Sequence, residues 1–147
     1  MLKRTHFHET SALAPYLTVD HVLPRQWEKT WPMPDGQLAS PESIQQAFFS
    51  FAEDDTPVGR IVRRNRLKDT FGNLTLLTRP LNSTVSNGPF AGKRAALQEH
   101  SLLVLNREIT TREIWGENQI IERGKSLYEN AKQIWALPTL PPTSVEQ

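Results

Sequence analysis

The sequence predicts an α+β domain with one small sheet and several helices. Two segments have the composition and length of short strands: YLTV, which leads into Asp20 and His21, and residues 72–78. Apolar residues recur at helical spacing over much of the remaining chain. These observations predict two strands with a helical insertion between them, followed by further helices.

Capping residues and prolines mark the expected helices of the first half. Ser40 followed by Pro41 is typical of a helix N-terminus, so we expect a helix over 41–53. Its predicted buried face carries Ile44, Phe48 and Phe51. A second, short helix is expected over 58–69. After the second strand, Pro80 can open another helix and place Asn82 in its first turn.

The C-terminal half is predicted to be helical. Residues 89–106 are expected to form one helix, and Thr110 with Glu113 resembles a capping box. A long amphipathic helix is therefore predicted from this box to Leu137. We expect one domain over 16–138, an N-terminal tail over 1–15 and a disordered tail over 139–147.

Composition limits the classes of function. The chain has 147 residues and no cysteine, which excludes disulfides and thiolate zinc sites. It lacks an apolar run of about 18 residues and a secretory start, so we expect a cytoplasmic protein without a membrane span. The net charge is only +1, but segment 57–94 holds eight basic residues and one acid, Asp69. Such a segment suits an anionic polymer, although a charged run is often only a solvated surface.

Polar side chains at the joints of the predicted strand–strand–helix order suggest metal chemistry. Asp20 offers a carboxylate oxygen and Asn82 an amide oxygen, and both suit magnesium, which keeps several of its waters. His21 could take a proton from water near neutral pH. A metal ion and a base together are what phosphodiester cleavage requires. Taken one at a time, these residues are more often structural.

Three stretches, VDHVLP, GNLTLLTRPLN and SNGPFAGKRAAL, carry a specific resemblance. They resemble the HNH (ββα-metal, His-Me finger) nuclease superfamily, and more narrowly the C-terminal HNH domain of GmrSD-type, modification-dependent restriction endonucleases. The resemblance covers roughly residues 16–138. The step of nine residues from Asn73 to Asn82 is similar to that in the HNH domains of CRISPR effector nucleases.

The resemblance implies a role for each matching residue. Asp20 and Asn82 would hold Mg²⁺ or Mn²⁺, and His21 would be the general base. Asn73 would brace the loop and orient His21 without touching the metal. The product ends would be 5′-phosphate and 3′-hydroxyl. Candidate DNA contacts are Arg63, Arg64, Arg66, Arg79 and Lys93.

Two departures from the family pattern affect the interpretation. Asn82 stands where many HNH enzymes have histidine, which favours magnesium or manganese over zinc. About fifty residues separate His21 from Asn73, more than in minimal HNH domains. The resemblance also implies a role in phage defence and an upstream nucleotide-hydrolysing domain or subunit that selects the target. The alternatives are a non-catalytic DNA-binding or assembly module and an RNA nuclease.

Overall fold

The computed structural model describes residues 17–85 and 87–135, which form a mixed α+β unit. The two strands are β1 (Leu17–His21) and β2 (Leu74–Thr78), and a 3-10 turn (Phe71–Asn73) leads into β2. Helices α1 (Pro41–Ala47) and α2 (Pro57–Leu67) lie between the strands in sequence. After β2 come α3 (Arg79–Val85), α4 (Phe90–His100), α5 (Val104–Thr110) and α6 (Glu117–Ile134).

The sheet is one antiparallel pair whose register runs from Leu17 opposite Thr78 to His21 opposite Leu74. Alternation along the strands gives the sheet two faces, and the cross-strand pairs Thr18–Leu77 and Asp20–Thr75 share one of them. Helix α3 begins directly where β2 ends and packs against both strands. The expected strand–strand–helix order is therefore present.

The first predicted helix is correct at its start and wrong at its end. Ser40 caps α1, since its side-chain oxygen accepts a hydrogen bond from the Ser43 backbone N–H at 3.1 Å. The helix stops at Ala47 instead of residue 53. Phe48 and Phe51, expected on its buried face, are 79% and 95% exposed. Helical spacing alone could not show that these two rings find no buried packing surface among the described residues.

The segment expected to form one helix over 89–106 is divided into α4 and α5 by tertiary hydrogen bonds. Ser101, which ends α4, has an extended backbone. Asn106, in α5, donates from Nδ2 to Ser101 Oγ at 2.7 Å and to the Leu76 carbonyl of β2 at 3.1 Å. Its Oδ1 accepts a hydrogen bond from the Thr75 hydroxyl. These hydrogen bonds hold Asn106 against β2, so the chain forms a second helix there instead of continuing α4.

The predicted capping box at Thr110 and Glu113 is also wrong, because the long helix starts later. Thr110 is the last residue of α5, and its hydroxyl donates to the Arg107 carbonyl at 2.8 Å. Gly116 precedes α6, and its N–H donates to the side-chain oxygen of Gln119 at 3.1 Å. The intervening loop turns the Trp115 indole into the core.

Tryptophans and one phenylalanine form much of the core. Trp27, Trp31 and Trp115 are buried, whereas Trp135 is 73% exposed. The Phe90 ring lies between two indoles, with its centroid 6.1 Å from that of Trp31 and 5.9 Å from that of Trp115. This cluster fixes the start of α4 against the loop that precedes α6.

The 3-10 turn before β2 is held tightly against α6. A Cβ atom at Gly72 would lie 1.9 Å from the Ile120 carbonyl oxygen, so only glycine fits at this position. Arg123 is buried, and its Nη1 donates to the carbonyls of Gly72 at 2.9 Å and Leu74 at 2.7 Å. The turn therefore presents Asn73 in a fixed orientation.

Among the described residues, no helix is long and apolar enough to cross a membrane. The expected tails, 1–15 and 139–147, lie outside the described residues.

Candidate active site

Asp20 and His21 are the last two residues of β1, opposite Thr75 and Leu74 of β2. Their side chains are 14% and 16% exposed, so each is largely shielded yet open to solvent on one side. The chain leaves the sheet immediately afterwards and reaches Pro24, which cannot donate a ladder hydrogen bond. The candidate metal ligand Asp20 and the candidate base His21 therefore lie at the point where the strand gives way to a loop.

Asn73 joins three segments of the chain through its side chain, which is fully buried. Its Oδ1 accepts hydrogen bonds from the Leu23 backbone N–H at 2.8 Å and from the Trp115 indole N–H at 3.1 Å. Its Nδ2 donates to the carbonyls of Leu23 at 2.8 Å and Lys68 at 2.7 Å. Its own carbonyl accepts from the Val22 N–H at 2.9 Å. The loop that follows His21 is thus pinned at two successive residues.

Asn82 lies on α3 and faces β1. Its Nδ2 donates to the Thr18 hydroxyl at 3.0 Å, which fixes the orientation of the amide. Thr18 and Asp20 are two residues apart on one face of β1, a separation of about 7 Å along the strand. The side-chain oxygen of Asn82 is left without a hydrogen bond from any described residue.

Lys93, on α4, is buried against the end of β1. Its Nζ donates to Asp20 Oδ2 at 3.0 Å and to the His21 carbonyl at 2.6 Å. Burial lowers the pKa of the Lys93 ammonium, and the charge and hydrogen bond of Asp20 oppose that shift. Asp20 Oδ1 receives no hydrogen bond from the described residues.

Asp69 and Arg25 contact His21 and were not expected from the sequence. Asp69 Oδ1 lies 2.9 Å from His21 Nε2, and Arg25 Nε lies 3.4 Å from the same nitrogen and 3.5 Å from Asp69 Oδ1. Partial burial raises the pKa of the Asp69 carboxyl. The hydrogen bond and charge of His21, with the charges of Lys68 and Arg25, outweigh burial and bring that pKa below its usual value. The only sequence signal was that Asp69 is the single acid of segment 57–94.

Arg64 differs from the other arginines expected to contact DNA, because it is buried. Its Nε donates to a Glu117 carboxylate oxygen at 2.6 Å and its Nη1 to the Pro32 carbonyl at 2.9 Å. Its guanidinium carbon lies 4.7 Å from the Trp27 ring centroid. These contacts occupy the guanidinium inside the protein, so Arg64 does not fit the expected role of a phosphate contact.

The remaining candidate DNA contacts differ in solvent exposure and in their ion pairs. Arg79, at the start of α3, is exposed, and Arg63 is half-buried. Arg66 is exposed but pairs with Glu53 at 2.8 Å. Lys93 was expected among these contacts, yet its ammonium is enclosed by Asp20 and the His21 carbonyl.

A large cleft among the described residues does not coincide with the candidate site. Its volume is about 800 Å³, and Arg60 and Arg63 of α2 line one side of it. The cleft shares Phe90 and Trp115 with the surroundings of the site but none of the candidate catalytic or metal-binding residues. The candidate site residues therefore lie outside this cleft, at the end of the sheet.

The donor atoms at this surface suit a hard cation that keeps its waters. The described residues contain no cluster of three or more histidine, cysteine, aspartate or glutamate side chains. A two-ligand set of one carboxylate and one amide oxygen is instead what Mg²⁺ commonly accepts from proteins. Asp20 Oδ1 and the Asn82 side-chain oxygen, which receive no hydrogen bond from the described residues, are the candidates for such a set.

Comparison with known proteins finds one family model that matches most of the chain. The family model for the C-terminal domain of GmrSD restriction endonucleases matches residues 2–130. No curated protein and no solved structure matches the chain.

Proposed function

Because this chain belongs to the family of GmrSD restriction endonuclease C-terminal domains, we propose that it is a metal-dependent DNA endonuclease of the HNH type. Family membership already implies the nuclease part of a restriction system. The observation that carries the proposal is the arrangement around β1. Its last two residues are Asp20 and His21, and Asn82 packs on the strand face that Asp20 shares.

We propose that Asp20 and Asn82 hold Mg²⁺ or Mn²⁺. Asn82 presents its oxygen because its Nδ2 is committed to Thr18, and Asp20 keeps Oδ1 for a ligand because Oδ2 is bound by Lys93. When bound, the ion would supply positive charge to a phosphate oxygen and to the leaving 3′ oxygen. Lys93 has a supporting role in this arrangement, because it fixes the carboxylate and limits the negative charge at the site.

His21 acts as the general base in the proposed mechanism. Its imidazole takes a proton from a water molecule, and the water oxygen attacks phosphorus in line with the 3′ oxygen. The P–O3′ bond breaks, the leaving oxygen is protonated from solvent, and the products carry 5′-phosphate and 3′-hydroxyl ends. Asn73 supports the step from a distance, since it pins the loop after His21 and makes no contact with the reacting groups.

DNA is the proposed substrate, and arginines that reach solvent are the proposed phosphate contacts. Arg63, Arg66 and Arg79 remain candidates for this role, whereas the buried Arg64 does not. Phosphate contacts orient a duplex but do not read its sequence. Target selection would therefore come from an upstream nucleotide-hydrolysing domain or subunit, which we propose as the partner.

A plasmid assay with matched histidine variants tests the proposal. The chain is incubated with supercoiled plasmid and Mg²⁺ or Mn²⁺, alongside His21→Ala, Asn82→Ala and an EDTA control. His100→Ala is the matched control, because His100 is an exposed histidine at the end of α4. We expect nicked or linear plasmid with the wild type and His100→Ala only, and DNA binding retained by His21→Ala.

Other outcomes would favour the alternatives. DNA binding without cleavage, in the presence of the upstream partner as well, would indicate a non-catalytic module. Cleavage of structured RNA but not of plasmid would indicate an RNA nuclease. Cleavage that survives His21→Ala would exclude the proposed base.

A further inference from the structure

We infer that Asp69 is the positioning residue for His21: its carboxylate accepts the Nε2–H hydrogen bond and leaves Nδ1 as the nitrogen that takes the proton from water. The inference rests on the proposed function of His21 as general base. Asp69 has no contact with substrate in this scheme and acts only through the imidazole.

The hydrogen on Nε2 follows from three distances. Asp69 Oδ1 is 2.9 Å from Nε2, a normal hydrogen-bond length, whereas Arg25 Nε is 3.4 Å from Nε2 and 3.5 Å from Oδ1. An ionised carboxylate can only accept a hydrogen bond and an arginine can only donate one. Asp69 therefore favours Nε2 with its hydrogen, whereas Arg25 favours Nε2 with a lone pair. Because the contact with Asp69 is the shorter one, we assign the hydrogen to Nε2, and Arg25 then pairs with the Asp69 carboxylate.

Asn73 places the carboxylate as well as the histidine. Its Nδ2 donates to the carbonyl of Leu23, two residues after His21, and to the carbonyl of Lys68, the residue before Asp69. A single buried amide thus joins the two segments that carry the imidazole and its partner. These segments are 48 residues apart in sequence, which is why the sequence did not reveal the pair.

The chemical consequence concerns the tautomer. A neutral imidazole carries one N–H and one lone pair, and the hydrogen bond made by one nitrogen decides which nitrogen is basic. With Nε2–H held by Asp69, the lone pair lies on Nδ1, which makes no hydrogen bond to the described residues. When Nδ1 takes a proton, the same carboxylate stabilises the imidazolium that forms.

Removing the Asp69 carboxylate tests the role with little risk to the fold. Its side chain is 53% exposed, and an ion pair at such a position contributes little to stability. We expect Asp69→Asn to lower kcat about 10- to 100-fold, the usual loss for a partner of this kind, with KM and Tm unchanged. Asp69→Glu should recover part of the loss.

The matched control is Glu99→Gln. Glu99 is also an exposed carboxylate beside a histidine, since its Oε2 lies 3.7 Å from His100 Nε2, but it lies on α4 away from the site. This variant should cleave like the wild type. An equal loss of kcat in both variants would overturn the inference, because it would indicate a general effect of surface charge.

The tautomer itself is measured independently of cleavage. Long-range ¹H–¹⁵N correlation spectra of histidine-labelled protein should show Nε2–H for His21 in the wild type and a shift towards Nδ1–H in Asp69→Ala, which has no acceptor for Nε2–H and leaves Arg25 as the donor beside that nitrogen. The His21→Ala spectrum assigns the signals. If His21 has the same tautomer in both proteins, the inference is wrong whatever the activity. If the tautomer changes but the wild type cuts no DNA, the positioning contact stands and the proposed function fails.

Discussion

Replacing Asn73 with alanine should destabilise the whole domain, because this side chain is a buried junction of four hydrogen bonds. The substitution leaves two buried donors, the Leu23 N–H and the Trp115 indole N–H, without an acceptor. It also removes the donor to the carbonyls of Leu23 and Lys68. A buried polar group without a partner costs about 1–3 kcal/mol.

The expected magnitude follows from these contacts. The two unpaired donors alone should lower the free energy of unfolding by about 2–6 kcal/mol. The two carbonyls that lose a donor add a smaller loss, because each keeps a second lone pair. Small domains unfold with a free energy of about 5–15 kcal/mol, so Asn73→Ala should remove a large fraction of the stability. Activity lost in this variant would then reflect the fold as much as the site.

Urea unfolding followed by tryptophan fluorescence measures the effect, and Trp115 gives a signal next to the substitution. Asn82→Ala is the matched control, since that amide makes one hydrogen bond to Thr18 and is half-buried. Its cost should be about 0.5–1.5 kcal/mol. A loss below about 1 kcal/mol in Asn73→Ala would refute the reasoning.

An isosteric variant separates the two halves of the amide. Asn73→Asp keeps the acceptor for Leu23 and Trp115 but points the other oxygen at two carbonyls, at 2.8 and 2.7 Å. Burial and these carbonyls should raise the pKa of the introduced carboxyl in the folded state. Folding then favours its protonated form, so this variant should become more stable as pH falls through that pKa.

Three further predictions concern burial and charge. Lys93→Met should abolish cleavage and lower the free energy of unfolding by about 3–5 kcal/mol, because it leaves the Asp20 carboxylate without its buried partner. Lys125→Met, at an exposed position, should change neither cleavage nor stability. Arg63→Ala should weaken DNA binding and reduce its salt dependence by about one phosphate contact, with Tm unchanged. Arg64→Ala should instead lower Tm, because Arg64 is buried. An equal fall in Tm for both variants would contradict this difference in burial. Gly72→Ala should lower Tm strongly because its Cβ would strike a helix carbonyl, and an unchanged melting curve would disprove that contact.

Several elements could be predicted from local sequence because their signals are local. The strand that ends in Asp20 and His21, the Ser40 cap and the helix that carries Asn82 all lie where predicted, within one or two residues. Each depends on neighbouring residues through side-chain alternation, capping or the fixed backbone of proline.

The errors arose where distant contacts override local periodicity. The break between α4 and α5 depends on Asn106 bonding to β2, and the late start of α6 depends on Trp115 entering the core. The exposure of Phe48 depends on the absence of a packing partner among the described residues, which periodicity cannot reveal.

The sequence by itself determined the α+β class, the order of strands and helix, and the resemblance that singled out Asp20, His21, Asn73 and Asn82. Tertiary structure decided which charged groups are available. It buried Arg64 and Lys93 and brought Asp69 to His21 across 48 residues. The physical reason is that side-chain type and spacing are properties of the chain, whereas the partner of a charge and its access to water depend on segments that only folding brings together.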